Sequence, residues 1–199
     1  SVALAMGVRR ADLSHRRAEA LPRVADRDQA RLLGQLPFAL TEGQSAVFGE
    51  ISADMASVRP MSRLLQGEVG SGKTIIALIA MLQAVDNGAQ AALLAPTEVL
   101  AMQHARSLAE TLLRAGVPAR VVALTGSMGA AQKQEALLKI VSGEADIVVG
   151  THALIQDTVD FFNLGLVVVD EQHRFGVEQR DTLRAKAGER TPHLLVMTA

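Results

Sequence analysis

Two stretches of the chain carry residue types able to do chemistry together. GEVGSGKT, residues 67–74, fits the pattern G-x-x-x-x-G-K-[ST] in full. Gly67, Gly70 and Gly72 let the backbone turn tightly, so that the N–H groups of the loop, Glu68, Val69 and Ser71 included, point inward at phosphate oxygens. A helix starting there adds its partial positive charge. Lys73 is then expected to reach the β- and γ-phosphates, and Thr74 to offer its hydroxyl to Mg²⁺. The second stretch is LVVVDEQHRFG, residues 166–176, in which an apolar run ends in two carboxylates, an amide and an imidazole. Carboxylates beside a core need a partner, and a nucleoside triphosphate site needs a hard oxygen ligand for its metal. Asp170 is expected to hold Mg²⁺, and Glu171 to orient and deprotonate an attacking water. Separate roles for the two acids favour hydrolysis over mere binding.

These groups must be positioned by alternating strands and helices. RLLQ (63–66), AALLA (91–95), RVVAL (120–124), DIVVG (146–150), LVVVD (166–170) and HLLVMT (193–198) read as strands. Most are continuously apolar, as a sheet covered on both faces requires. The segments 74–88, 97–116 and 130–143 carry helical spacing, and each closes on a glycine suited to a left-handed cap. The order strand, helix, strand implies right-handed crossovers and a mainly parallel α/β sheet. Residues 1–36 do not share the pattern; they read as one or two helices, with Leu33-Gly34 as a possible end and Pro37 as punctuation. In FALTEGQ, Thr41 reads as a helix N-cap, and Gln44 three residues later completes a capping box.

Composition allows this architecture. The chain has 199 residues, of which 49% are apolar, with a net charge of −1 and no cysteine. That is enough for a core, excludes disulfides and thiolate metal sites, and fits a reducing, cytoplasmic setting. No apolar run approaches the roughly 18–20 residues of a membrane span, and no signal-peptide layout is visible. The first 36 residues carry seven Arg against four acids, about +3. A solvated basic face explains that more simply than contact with a nucleic-acid backbone. No Trp or Tyr and only five Phe are present, so a stacking platform for single strands is not expected. His15, His104, His152 and His193 are scattered and read as structural or solvated.

Several boxes occur in a familiar order. GEVGSGKT, APTEVLAMQH (95–104), LTGS (124–127), VVGTHALI (148–155), DEQHRFGVEQR (170–180) and the terminal MTA (197–199) resemble helicase superfamily two. With RLLQGEVGSGKT and PFALTEGQ, they look like its bacterial RecG branch-migration family, over residues from about 37 to 199. The related transcription-repair coupling translocases are expected to read DEEQRFGV in the acidic box. The resemblance implies a RecA-like P-loop domain, the first of two motor domains, using ATP and Mg²⁺ on DNA. It further implies that Phe38 packs beside adenine and that Thr41 and Gln44 belong to the adenine-reading motif. Pro96, Thr97 and Glu98, with Gln103 and His104 further along the helix, would form the box that touches the DNA strand and stiffens the domain, though Thr97 is equally a helix N-cap. Thr125-Gly126-Ser127 and Gly150-Thr151-His152 are donor-rich turns after strands that suit phosphate oxygens, and as isolated triplets would be ordinary caps. Gln172 and His173 would bridge the ATP site to DNA or to the partner domain. Arg174, Phe175 and Arg180 would be DNA-facing or interdomain, and Thr198-Ala199 would open the Thr-Ala-Thr box.

The expectation is therefore a helical linker segment over 1–36 and a first RecA-like motor domain over 37–199, truncated at its C-terminal end. Its function would be an ATP-dependent DNA helicase motor that remodels branched duplexes and stalled forks. Its partners would be forked DNA, a second RecA-like domain and a wedge domain, the latter two absent from these residues, and no membrane. Two alternative readings stand beside it: a nucleotide-gated binding module, which would have no need of Glu171, and a transcription-repair coupling translocase of the same superfamily.

Overall fold

The computed structural model describes residues 17–67, 72–151, 154, 159–170 and 190–198. Helices α1 (Asp28–Gln35) and α2 (Glu42–Met55) come first. Then follow β1 (Ser62–Gln66), α3 (Lys73–Asp86), β2 (Gln90–Leu94), α4 (Glu98–Arg114), β3 (Val121–Leu124), α5 (Ala130–Val141), β4 (Ile147–Gly150), β5 (Leu164–Asp170) and β6 (His193–Thr198). All six strands and the three later helices stand where hydrophobic patterning predicted them. Gly88, Gly116 and Gly143, at φ 79°, 68° and 82°, end the three helices in the left-handed region.

The strands form one sheet in the order β1-β6-β5-β2-β4-β3, and every pairing is parallel. Side chains alternate between two buried clusters. On one face lie Ala91, Leu93, Ile147, Val149, Leu166, Val168, Leu195 and Met197, together with residues of α1 to α4 such as Leu32, Ile51, Ile79 and Leu108. On the other lie Ala92, Leu94, Val148, Val167, Val169, Leu194 and Val196, with Ala136 and Ile140 of α5. Two-sided burial explains why these strands read as unbroken apolar runs rather than alternating ones. The change of face follows from topology. The chain moves in one direction across the sheet from β1 through β2 to β3 and then turns back to β4, and right-handed crossovers place the helices of opposite directions on opposite faces.

The N-terminal segment differs from its prediction in two respects: residues 17–27, expected to be helical, are not, and the helix that follows ends later. Helix α1 runs through Gly34 to Gln35 instead of ending at Leu33-Gly34. Its cap is Leu36 in extended conformation (ψ 136°), which the pyrrolidine ring of Pro37 imposes on the residue before it. The described part of this segment is tied to α3. Leu21 and Leu32 are fully buried in the first cluster. Gln83 of α3 uses its whole amide: Nε2 donates to the carbonyls of Leu21 (2.7 Å) and Ser52 (3.1 Å), while Oε1 accepts from Gln29 Nε2 (3.0 Å) and Ser52 Oγ (2.9 Å). A buried amide this completely satisfied fixes the register of α1 and α2 on α3.

Candidate nucleotide site at the carboxyl edge of the sheet

Parallel pairing in register brings the strand ends to one edge. Gln66 pairs with Thr198, Met197 with Asp170, and Leu94 with both Val169 and Gly150, which in turn pairs with Leu124. Every box singled out in the sequence except PFALTEGQ stands at one of these ends, so residues more than a hundred positions apart share one rim.

The phosphate-loop end of the rim is built on α3. Its N-cap is Gly72 at φ 84°, a conformation that a Cβ would strain. A Cβ there would also collide with Nε2 of Gln44. Gln44 is held by its own capping box: Thr41 Oγ1 accepts from Gln44 N (3.1 Å), and Gln44 Oε1 accepts from Thr41 N (2.9 Å). The capping box expected in FALTEGQ is therefore present, and the amide of Gln44 lies against the N-terminus of α3. Phe38 is half exposed and lines, with Thr74, Ile75 and Leu78, a cleft of about 340 Å³ between α1, α3 and α4. Lys73 Nζ donates to the carbonyl oxygen of Thr198 at the end of β6 (2.7 Å). Thr198 Oγ1 is buried there without a hydrogen-bond partner. Of the loop itself, Gly67 and Gly72 are described; Glu68, Val69, Gly70 and Ser71 lie outside the described residues.

Asp170 closes β5, buried at 6% exposure. Its Oδ2 lies 2.9 Å from Nε2 of His104 on α4. A carboxylate can only accept, so Nε2 carries the proton of this bond. In sequence His104 stands in the box after β2 and, by its chemistry, among scattered structural or solvated histidines, with nothing pairing it with Asp170. The signal that could have found it is helical spacing: His104 sits three residues after Ala101 and four before Leu108, both fully buried, so it is on the inward face of α4. His193, by contrast, is structural as expected; its ring accepts from Met61 N and hydrogen-bonds the carbonyl of Glu19. Glu171, Gln172, His173, Arg174, Phe175 and Arg180 lie outside the described residues.

The donor set suits Mg²⁺: a hydroxyl on Thr74, a carboxylate on Asp170, and a buried orphan hydroxyl on Thr198 nearby in the sheet order. Among the described residues no group of three or more His, Cys, Asp or Glu forms a ready cage. Mg²⁺ does not need one, since it keeps waters and shares its ligands with phosphates.

The turns expected to meet DNA divide into exposed and buried members. Thr97 caps α4, accepting from Leu100 N (3.2 Å) while remaining exposed. Gln103, Gly126 and Ser127 are exposed and Pro96 half-buried. Glu98 Oε1 accepts from Ser127 N (2.9 Å), locking the turn after β2 to the turn after β3. Thr125 and Thr151 are each buried to 2% exposure. Gly150 is buried where a Cβ would strike the carbonyl oxygen of Leu124. These three therefore shape the rim from below, and His152 lies outside the described residues. No helix among the described residues is long and apolar enough to cross a membrane.

Comparison with known proteins agrees with this geometry. Residues 41–199 match the DEAD/DEAH box helicase family. The chain is 61% identical over 180 residues to ATP-dependent DNA helicase RecG of Mycobacterium tuberculosis (strain ATCC 25618 / H37Rv), covering 85% of this chain and 24% of that protein. It is 51% identical over 177 residues to RecG of Bacillus subtilis (strain 168), covering 89% and 25%. The chain thus spans about a quarter of the length of the curated relatives it matches. Among solved structures, RecG bound to a three-way DNA junction superposes with a TM-score of 0.82 at 37% identity, over 98% of this chain and 25% of that one. The DEAD-box helicase Mss116 shares the fold at a TM-score of 0.69 and 21% identity, over 87% of this chain and 38% of its own. A parallel sheet with helices on both faces, a phosphate loop after its first strand and an acid at the end of the strand two places away form a RecA-like domain, and this chain belongs to the DEAD/DEAH box helicase family.

Proposed function

We propose that the chain is the first motor domain of an ATP-dependent DNA helicase of the RecG kind, coupling ATP hydrolysis to remodelling of branched DNA and stalled forks. The observation that carries the reading is the bond between Lys73 Nζ and the end of β6, next in the sheet to the strand that ends in Asp170. Phosphate-binding and metal-holding groups are thereby neighbours on one rim. The curated RecG proteins and the RecG–junction structure support DNA, and branched DNA in particular, as the partner.

Gln44 and Phe38 would receive the adenine, and Gly67 through Thr74 the phosphates. Thr74 and Asp170 would hold Mg²⁺, which when bound neutralises charge on the phosphate oxygens. On binding, Lys73 exchanges its carbonyl partner for a phosphate oxygen. Glu171 orients the attacking water and takes its proton. Thr97, Gln103, Gly126 and Ser127 offer exposed donors to the DNA backbone, while Gln172 and His173 would link the site to DNA or to a second motor domain. The test is Glu171→Gln in the presence of forked DNA. ATP binding should persist while turnover falls at least about 10²-fold; an unchanged rate would favour a nucleotide-gated binding module instead.

A further inference from the structure

We propose that His104 is a positioning residue for the metal site, holding Asp170 in place and making α4 report whether the metal is bound. The inference rests on the nucleotide-site reading above. Three observations carry it. The His104–Asp170 bond has ordinary length (2.9 Å) and is sheltered, with side-chain exposures of 16% and 8%. It occupies Oδ2, leaving Oδ1 and the second lone pair of Oδ2 for other work. And it is made from the middle of α4, the helix capped by exposed Thr97 and opened by half-buried Glu98, which is fastened to Ser127.

A carboxylate that binds metal is oriented by the groups hydrogen-bonded to it, and loss of such a partner weakens metal affinity about 10–100-fold. Here the orienting group does not come from the strand that carries the acid. It comes from a helix whose other exposed groups face outward on the same rim. Any adjustment of Asp170 on metal binding is passed through the imidazole to α4, and through Glu98 to the turn after β3. The link is a chain of two hydrogen bonds and one helix.

The test uses a fluorescent methylanthraniloyl-ADP, with Mg²⁺ present or chelated, and Mn²⁺ as a paramagnetic reporter of metal binding. In His104→Leu, metal-free nucleotide binding should match the parent chain, which also shows that the variant folds. Mn²⁺ affinity in the nucleotide complex should fall about 10–100-fold. His104→Gln places an amide N–H near the position of Nε2 and should restore most of it. Hydrogen exchange supplies the second readout: Mg²⁺ added to the ADP complex should slow exchange in peptides covering 97–127 of the parent and of His104→Gln, but not of His104→Leu. Metal affinity in His104→Leu equal to the parent's, or α4 exchange indifferent to Mg²⁺ in the parent, overturns the inference while leaving the nucleotide site standing. Failure of the parent chain to bind the nucleotide at all would remove the site reading and this inference with it.

Discussion

At the scale of the residue, Gly72 shows how one missing methyl group serves two purposes. Its φ of 84° and that of Gly88, 79°, are nearly the same, so alanine at either position meets the same left-handed penalty of about 1–2 kcal/mol. Their surroundings differ. A Cβ on Gly88 would meet nothing within 4 Å, whereas one on Gly72 would displace the amide of Gln44. The displaced group is the far end of a flexible side chain, so the collision adds little to the stability cost, but it moves the group that would read adenine. Gly72→Ala and Gly88→Ala are therefore expected to lose similar stability in urea unfolding, while only Gly72→Ala weakens ADP binding, by roughly tenfold, the worth of one recognition hydrogen bond. Equal nucleotide affinity in the two variants would refute the role given to Gln44. The capping box itself was legible from T-E-G-Q spacing. What was not legible is that its glutamine lies against the phosphate-loop helix, because that contact depends on how α2 packs on α3.

At the scale of the element, α1 takes its N-terminal cap from another helix. Its own N-cap, Arg27, makes no side-chain cap bond. Asp86, near the end of α3, accepts instead from Asp28 N (2.9 Å) and Gln29 N (3.1 Å). Burial pushes the Asp86 carboxyl above its ordinary range, and the two backbone bonds only partly offset this. For an acid whose pKa is raised by folding, the stabilising contribution is fully present below the unfolded pKa and is lost as pH rises through the folded one. The stability of the parent chain relative to Asp86→Asn should accordingly fall as pH is raised from the ordinary carboxylate range toward neutrality. Urea midpoints of both proteins at several pH values measure this, and a difference that is flat or grows with pH would count against it. No reading of local sequence could have found this cap, since donor and acceptor are separated by 58 positions.

At the scale of the whole molecule, the rim is assembled by register. Six strands in parallel alignment bring Gln66, Leu94, Leu124, Gly150, Asp170 and Thr198 to one edge, and a buried cluster covers each face of the sheet. An arginine finger presented to the γ-phosphate is worth about 10³–10⁵ in rate, and the RecG relatives are about four times as long as this chain. The 199 residues alone are expected to bind ATP yet hydrolyse it at least about 10³-fold more slowly than the same stretch extended to the relatives' full length. A steady-state ATPase assay with forked DNA compares the two, and equal turnover would show that the chain holds all it needs.

The sequence by itself determined the strand and helix order and the parallel two-sided sheet, because buried parallel strands and glycine-capped helices each impose a local pattern. Tertiary structure alone decided which of the rim residues are usable: it buried Thr125, Gly150 and Thr151 beneath the exposed turns, fastened Glu98 to Ser127, and set His104 on Asp170. Exposure and partners at a sheet edge depend on strand order and on the rotation of each covering helix, and these are set by packing across the whole core rather than by any neighbouring residues.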